Sequence, residues 1–147
     1  GTVLTDTAPK TGNVLQVVQG SSTTQDTTTG NTFIASSLSA SITPSSTSSK
    51  ILIQVSSIHT NTGNGQGNFT IYRGVTNLAG GSQNSFTFYY SASSYSWVPN
   101  TMVYLDSPAT TSATTYTPYF KTNTGSSSTF FGSASVEQTI TLMEIAG

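Results

Sequence analysis

The clearest apolar segment of the chain is residues 50–58, which read KILIQVSSI. Ile51, Ile53 and Val55 would share one face of an extended strand, because successive strand side chains point to opposite faces. The segment is short, β-branched and flanked by polar Ser, Thr, Asn and Gly, which favours a strand over a helix. We therefore predict a central strand here. Leu52 makes its opposite face apolar too, so that face should have a second cover.

The rest of the chain repeats short apolar alternations between turn-forming Gly, Asn, Pro and Ser residues. This pattern predicts eight or nine strands, no helix, and an all-β antiparallel β-sandwich, in a jelly-roll arrangement. Residues 59–67 and 74–85 should be loops, and 20–30 a loop or an edge strand. Besides the central one, the predicted strands are 13–19, 38–43, 68–73, 86–90, 101–105, 115–122 and 136–146, with short candidates at 33–34 and 130–131.

The last predicted strand resembles the central one, because it is also apolar on both faces. Ile140 and Leu142 face one way, whereas Met143 and Ile145 face the other. One sandwich core needs only one face of each strand. We therefore expect a sheet to pack against other copies of the chain, with Leu52, Met143 and Ile145 at the contact.

Composition narrows the class of protein. Ser and Thr make up 53 of the 147 residues, charged residues 6% and hydrophobic residues 34%, with a net charge of −1. The hydrophobic content is too high and the charge too low for a disordered chain. Four cations would attract neither nucleic acid nor an anionic membrane. No Cys is present, which excludes disulfides and thiolate metal sites. We divide the chain into a lead-in or linker, 1–12, and one domain, 13–147.

Four stretches carry a resemblance to a known group of proteins. They are GNVLQVVQ at 12–19, SITPSSTSSKILIQVS at 41–56, LDSPATTSATTYTPYFKTNTG at 105–125 and ITLMEIAG at 140–147. Together they resemble the C-terminal domains of tail-fibre-like proteins from marine and cyanobacterial tailed phages. The resemblance covers nearly the whole chain from Gly12 on. It implies a distal β-rich fibre domain, a homotrimer, that contacts the host surface and other virion tail proteins. It brings no catalytic motif.

No residue pattern points to catalysis, a metal or a cofactor. The single His, His59, is expected on the rim of a Gly-rich loop, and no Gly-x-Ser-x-Gly motif accompanies it. Glu137 and Glu144 are an odd number of residues apart, so on one strand they would face opposite ways. Asp106 is expected to be a turn residue before Ser-Pro.

Three charged residues are expected on strands rather than in loops. Lys50, Arg73 and Glu144 could each lie at a sheet edge with the charged group in water. Glu144 shares a face with Ile140 and Leu142, however, so it could instead form an ion pair between subunits.

The aromatic residues of 86–97 are the candidate contacts for a ligand. Tyr and Trp combine a flat apolar face with a polar group, which suits sugar rings. The alternative is core packing, with Phe86, Phe88 and Tyr90 on one inward face. The residues that we predict to bind a ligand are Tyr89, Tyr90, Tyr95 and Trp97.

Three functions remain open from the sequence. The first is a receptor-binding fibre domain that holds a host-surface glycan at several weak sites. The second is a structural virion protein, such as a head fibre or decoration protein. The third is the carbohydrate-binding module of a secreted enzyme. The resemblance favours the first, on an extracellular virion, with neither nucleic-acid binding nor membrane insertion.

Overall fold

The computed structural model describes residues 8–91, 96–123 and 127–147, and over these residues the chain is all-β. None of the described residues forms a helix long and apolar enough to cross a membrane. The strands are β1 Val14–Ser22, β2 Asp26–Thr28, β3 Ile34–Ala35, β4 Ala40–Ile42, β5 Lys50–Asn61, β6 Gly65–Arg73, β7 Thr76–Asn77, β8 Thr87–Ser91, β9 Val98–Asp106, β10 Thr114–Thr122, β11 Thr129–Phe131 and β12 Gln138–Ile145.

The strands form two antiparallel sheets of six strands each. In sheet I, β9 lies on one side of β5, β12 and β11 lie on the other, and β1 and β2 follow outside them. In sheet II, β3 and β4 border β10, β10 borders β6, and β7 and β8 border β6. If the short β2, β3, β7 and β11 are left out, eight strands remain, and they can be numbered 1 to 8 along the chain. Sheet I then has the order 1-8-3-6, which is β1, β12, β5 and β9. Sheet II has the order 2-7-4-5, which is β4, β10, β6 and β8.

The predicted central strand is confirmed as the centre of the core. Ile51, Ile53 and Val55 are each 0% exposed, and they pack with residues of both sheets. Leu52 lies on the opposite face of β5 and is half-buried. Apart from these three β5 residues, the core consists of Leu38, Ala40, Ile42, Phe69, Ile71, Met102, Tyr116, Phe120, Phe131, Ile140 and Leu142.

The prediction of a loop at residues 59–67 is wrong for most of these residues. β5 continues to Asn61 and β6 starts at Gly65, so only residues 62–64 connect them. The Gly-rich composition that suggested a loop has another cause. A Cβ on Gly67 would lie 2.7 Å from Cγ2 of Thr129, so only glycine fits beneath β11.

Asp106 is not a turn residue but the buried end of β9. One nitrogen of Arg73, Nη1, lies 2.8 Å from both carboxylate oxygens of Asp106. The hydroxyl of Tyr116 donates to the same carboxylate at 2.7 Å. Burial and the hydrogen bond to Asp106 raise the pKa of Tyr116 above its usual range. The expectation that Arg73 lies at an edge with its charge in water is therefore wrong.

Glu144 is fully buried, and its partners belong to the same chain. Its carboxylate accepts bonds from Gln16 Nε2 at 2.7 Å and from the backbone and hydroxyl of Ser45, both at 2.7 Å. Burial alone would raise the pKa of Glu144, but these hydrogen bonds outweigh it and hold the pKa at about 2. Both sequence-based hypotheses for Glu144, an edge position and an intersubunit ion pair, are therefore wrong.

His59 lies inside β5 and not on the rim of a loop. Its imidazole is 4% exposed and stacks on Phe69, with ring centroids 4.0 Å apart and planes 11° apart. Burial lowers the pKa of His59 to about 4. The ring is therefore neutral near pH 7 and acts as an aromatic core residue.

The two ends of the sandwich differ in what they carry. At one end the start of β1 and the end of β12 are joined, since Gly12 N donates to Ala146 O and Ala146 N donates to Asn13 O, both at 2.8 Å. We call this the terminus end. The opposite end, which we call the hairpin end, carries the 62–64 connection, the start of β9 and the region around β11.

Asp106→Ala should lower the free energy of unfolding by about 2–3 kcal/mol. The change leaves the buried hydroxyl of Tyr116 without its acceptor and removes the charge partner of Arg73. Urea denaturation measures the difference, and Glu137→Ala, at an exposed carboxylate, is the matched control. A loss for Asp106→Ala no larger than that of the control would contradict the buried pair.

Stability should depend on pH through His59. The folded-state pKa, about 4, lies below the ordinary 6.5, so the unfolded chain binds the proton more readily. The stabilisation that comes from keeping His59 neutral is therefore fully present above pH 6.5. As the pH falls towards 4, the free energy of unfolding should decrease by up to about 3 kcal/mol. His59→Phe should keep the ring stack and remove this loss.

The chain has one His, so the difference between the two stability curves from pH 6.5 to pH 4 isolates this group. Urea titrations of both proteins across this range provide the curves. Parallel curves would show that His59 titrates normally in the folded protein.

Candidate functional site

Two aromatic rings of β8 lie exposed on the outer face of sheet II. Phe88 is 64% exposed and Tyr90 is 54% exposed. Phe86 packs inward with its ring 5.2 Å from that of Tyr104, so the expected common face of Phe86, Phe88 and Tyr90 is wrong. The reason is that β8 starts only at Thr87, and the alternation of sides does not extend back to Phe86.

Tyr89 points the other way, between the sheets. Its ring packs against the core and lies 5.7 Å from His59, centroid to centroid. This contact holds β8 against the core, and with it the exposed rings of Phe88 and Tyr90 on either side of Tyr89. Of the other predicted contacts, Tyr95 lies outside the described residues.

A network of amide side chains lies beside the exposed rings of β8. Gln66 is the cross-strand neighbour of Tyr90, and Asn68 is that of Phe88. Gln66 Nε2 donates to Gln83 Oε1 at 2.6 Å, and Asn68 Nδ2 donates to the same oxygen at 2.7 Å. Gln83 comes from the β7–β8 connection, so this segment is tied onto the sheet through its amide.

The same Asn68 amide also reaches the base of the β7–β8 connection. Its Nδ2 lies 3.1 Å from the hydroxyl of Ser85. At the tip of the hairpin end, the Tyr90 hydroxyl donates to Asn64 Oδ1. Sequence reasoning missed these amides because their partners are 15 to 26 residues away in the chain.

Trp97 lies on a different surface from Tyr90. It immediately precedes β9, and its ring meets that of Phe130 at 6.2 Å, edge to face. Phe130 pairs with Thr60, which is 0% exposed, on the outer face of sheet I. Trp97 remains 43% exposed. The structure thus brings Tyr90 and Trp97 to the same end of the sandwich but to opposite sheets.

The predicted contact residues Leu52, Met143 and Ile145 all lie half-buried on the outer face of sheet I. Leu52 is the direct neighbour of Met143, and two exposed side chains extend this row across four strands. These are Val17, 58% exposed, and Leu105, 48% exposed. Ile145 pairs with Val14 in an adjacent row. We call this set of six residues the apolar row.

Three of the described acidic side chains are engaged by partners within the chain. Asp26 accepts bonds from the backbone and hydroxyl of Ser37, at 2.6 and 2.7 Å. Asp106 and Glu144 are occupied by the partners described above. Within 8–91, 96–123 and 127–147, no group of three or more His, Asp or Glu side chains could hold a metal ion.

The described surface at the hairpin end therefore offers exposed rings and uncharged amides, groups that can stack on a ligand and form hydrogen bonds with it. No protein-family model matches this chain, and no curated protein matches it.

Proposed function

We propose that this chain is a fibre domain of a bacteriophage virion that binds a glycan on the host cell surface without catalysis. The observation that carries the proposal is the separation of the two ends of the sandwich. The start of β1 and the end of β12 are hydrogen-bonded at the terminus end. Exposed rings and amides occupy the hairpin end. A fibre tip needs this polarity, with attachment at one end and recognition at the other.

The chemistry of the hairpin end supports a neutral glycan as the ligand. Aromatic faces stack on the apolar faces of sugar rings, and amides bond to hydroxyl groups. The net charge of the chain, −1, gives little long-range attraction for a charged ligand. Each site can be weak, because several copies on one virion act together through a high effective concentration.

We also propose that the domain is a homotrimer with a jelly-roll fold. The strand orders of sheets I and II support the jelly roll, because its two Greek keys interleave the strands in this way. The apolar row supports the contact between copies, because exposed apolar side chains in neighbouring strands favour burial. A cyclic trimer would leave the three terminus ends on one side, where other virion tail proteins would attach.

A purely structural virion protein is the alternative function. It is favoured by the edge-to-face contact of Trp97 with Phe130, since an engaged ring has less free surface for a ligand. Binding to cells separates the two functions, because a structural protein has no receptor.

Removing both exposed rings should abolish cell binding. The variant Tyr90→Ala/Trp97→Ala should lose binding to cells that the unaltered domain binds, because truncating one hot-spot aromatic costs about 2 kcal/mol or more and the loss recurs in each copy. The thermal midpoint should hardly change, since both rings are about half-exposed. Fluorescently labelled protein on marine bacterial and cyanobacterial cells gives the binding signal.

Val75→Ala is the matched control, because Val75 is 94% exposed and lies at the turn after β6. Unchanged binding of the double variant would contradict the proposal. A loss of stability of about 3–5 kcal/mol in Trp97→Ala would instead assign that ring to the core.

Met143→Asp should dissociate the trimer or unfold it. The substitution places a carboxylate in the middle of the apolar row, where burial between copies would leave it without a partner. Light scattering at micromolar concentrations reports the mass, and Val75→Asp is the matched control. A monomer for the unaltered domain, or an intact trimer for Met143→Asp, would refute this contact.

A further inference from the structure

We propose that the outer face of the β6–β8 pair is a subsite for one pyranose ring of a neutral glycan. In this subsite the sugar stacks on Phe88 and Tyr90, and its hydroxyl groups bond to Gln66 and Gln83. The inference rests on the proposed function and assigns it to a specific surface. Phe88, Gln66 and Gln83 were not among the contacts that the sequence predicted.

The two rings form the apolar part of the subsite. Phe88 and Tyr90 are two residues apart on β8, so their side chains stand about 7 Å apart on the same face of the sheet. That spacing allows both rings to contact the same small apolar face. Tyr90 is held by the bond from its hydroxyl to Asn64, and Tyr89 anchors the strand between them in the core. The rings are thus positioned before a ligand arrives.

The amide network leaves a donor and an acceptor free in fixed orientations. Gln66 uses Nε2 to donate to Gln83 Oε1 and, at 3.2 Å, to Asn68 Oδ1. Its Oε1 therefore stays available as an acceptor. Among the described residues, Gln83 bonds only through its Oε1, as the acceptor from Gln66 and Asn68, so its Nε2 is available there as a donor. Within the described residues, neither atom has a partner.

Adjacent hydroxyl groups on a sugar match this arrangement, because each hydroxyl both donates and accepts a hydrogen bond. A carboxylate or sulfate would match it poorly, since an acidic group can only accept. The cation on the neighbouring strand contacts a ring outside the subsite. Lys121 pairs with Asn68 across the sheet, but its Nζ lies 4.8 Å from the centroid of the Phe33 ring. The ligand class is therefore a neutral, hydroxyl-rich ring.

Trp97 is less suited to this role for two reasons. Its ring is engaged by Phe130, and the surface around it belongs to the same face of sheet I as the apolar row. Gln66 and Gln83, in contrast, lie directly beside the β8 rings.

Nuclear magnetic resonance of the isotope-labelled domain tests the subsite. The probes are methyl glucoside, methyl mannoside and methyl galactoside, each added up to about 50 mM, because a single weak sugar site has a Kd on the order of millimolar. At least one sugar should shift the side-chain amide signals of Gln66 and Gln83 and the backbone signals of Phe88 and Tyr90, in a saturable way. Sodium glucuronate should shift them less.

Phe88→Ala and Gln83→Ala should each raise the Kd of that sugar at least about tenfold. Both side chains are exposed, so both variants should stay folded, and Gln83→Ala should change the spectrum only at the β7–β8 connection and the strand to which its amide bonds. Val75→Ala should bind as the unaltered domain does.

The outcomes separate the inference from the proposed function. Sugar-induced shifts centred on Trp97 with none at Gln66 and Gln83 would overturn the subsite and leave a glycan-binding domain. Cell binding that persists in Phe88→Ala and Gln83→Ala, with no shift at the subsite for any sugar, would do the same. Absence of both cell binding and sugar-induced shifts would overturn the subsite and the proposed function together.

Discussion

Burial of one face of β5 between the two sheets is the interaction on which the rest of the structure depends. That face changes character along the strand, from Ile51, Ile53 and Val55 to Ser57, His59 and Asn61. The first half supplies the apolar contact that holds the sheets together. The second half needs polar partners and ring stacking, which Thr129 and Phe69 provide. At this end β11 lies close to β6, which leaves room only for glycine at position 67. The ring of Tyr89 packs next to that of His59.

The strands themselves could be predicted from the sequence because each depends on local alternation. The central strand, the apolar face of Ile140 and Leu142, and the second apolar face at Leu52 and Met143 all follow from side-chain direction alone. Errors arose where composition suggested a turn but packing determined the structure. Gly67 allows close approach rather than a bend, and Asp106 ends a strand against a cation that is 33 residues away.

The candidate site was only partly predictable for a related reason. Exposed rings near residues 88–97 could be anticipated, since large aromatics among small polar residues stand out in the sequence. Which sheet each ring faces could not, because β8 and β9 belong to different sheets and the change of sheet leaves no periodic signal. The amide network could not be predicted because, like the partners of Asp106, its members are far apart in the sequence. They come from β6 and from the connection that precedes β8.

The uncharged character of the ring and amide surface has a consequence for the salt dependence of any binding to it. At an ionic strength of about 0.7 M, charge–charge attraction is screened within about 4 Å. Stacking and amide hydrogen bonds do not weaken in this way. The affinity of the proposed subsite at Phe88, Tyr90, Gln66 and Gln83 for a neutral sugar should therefore be nearly the same at low and high ionic strength. The accompanying penalty is kinetic, because without long-range steering each encounter depends on diffusion and correct orientation alone.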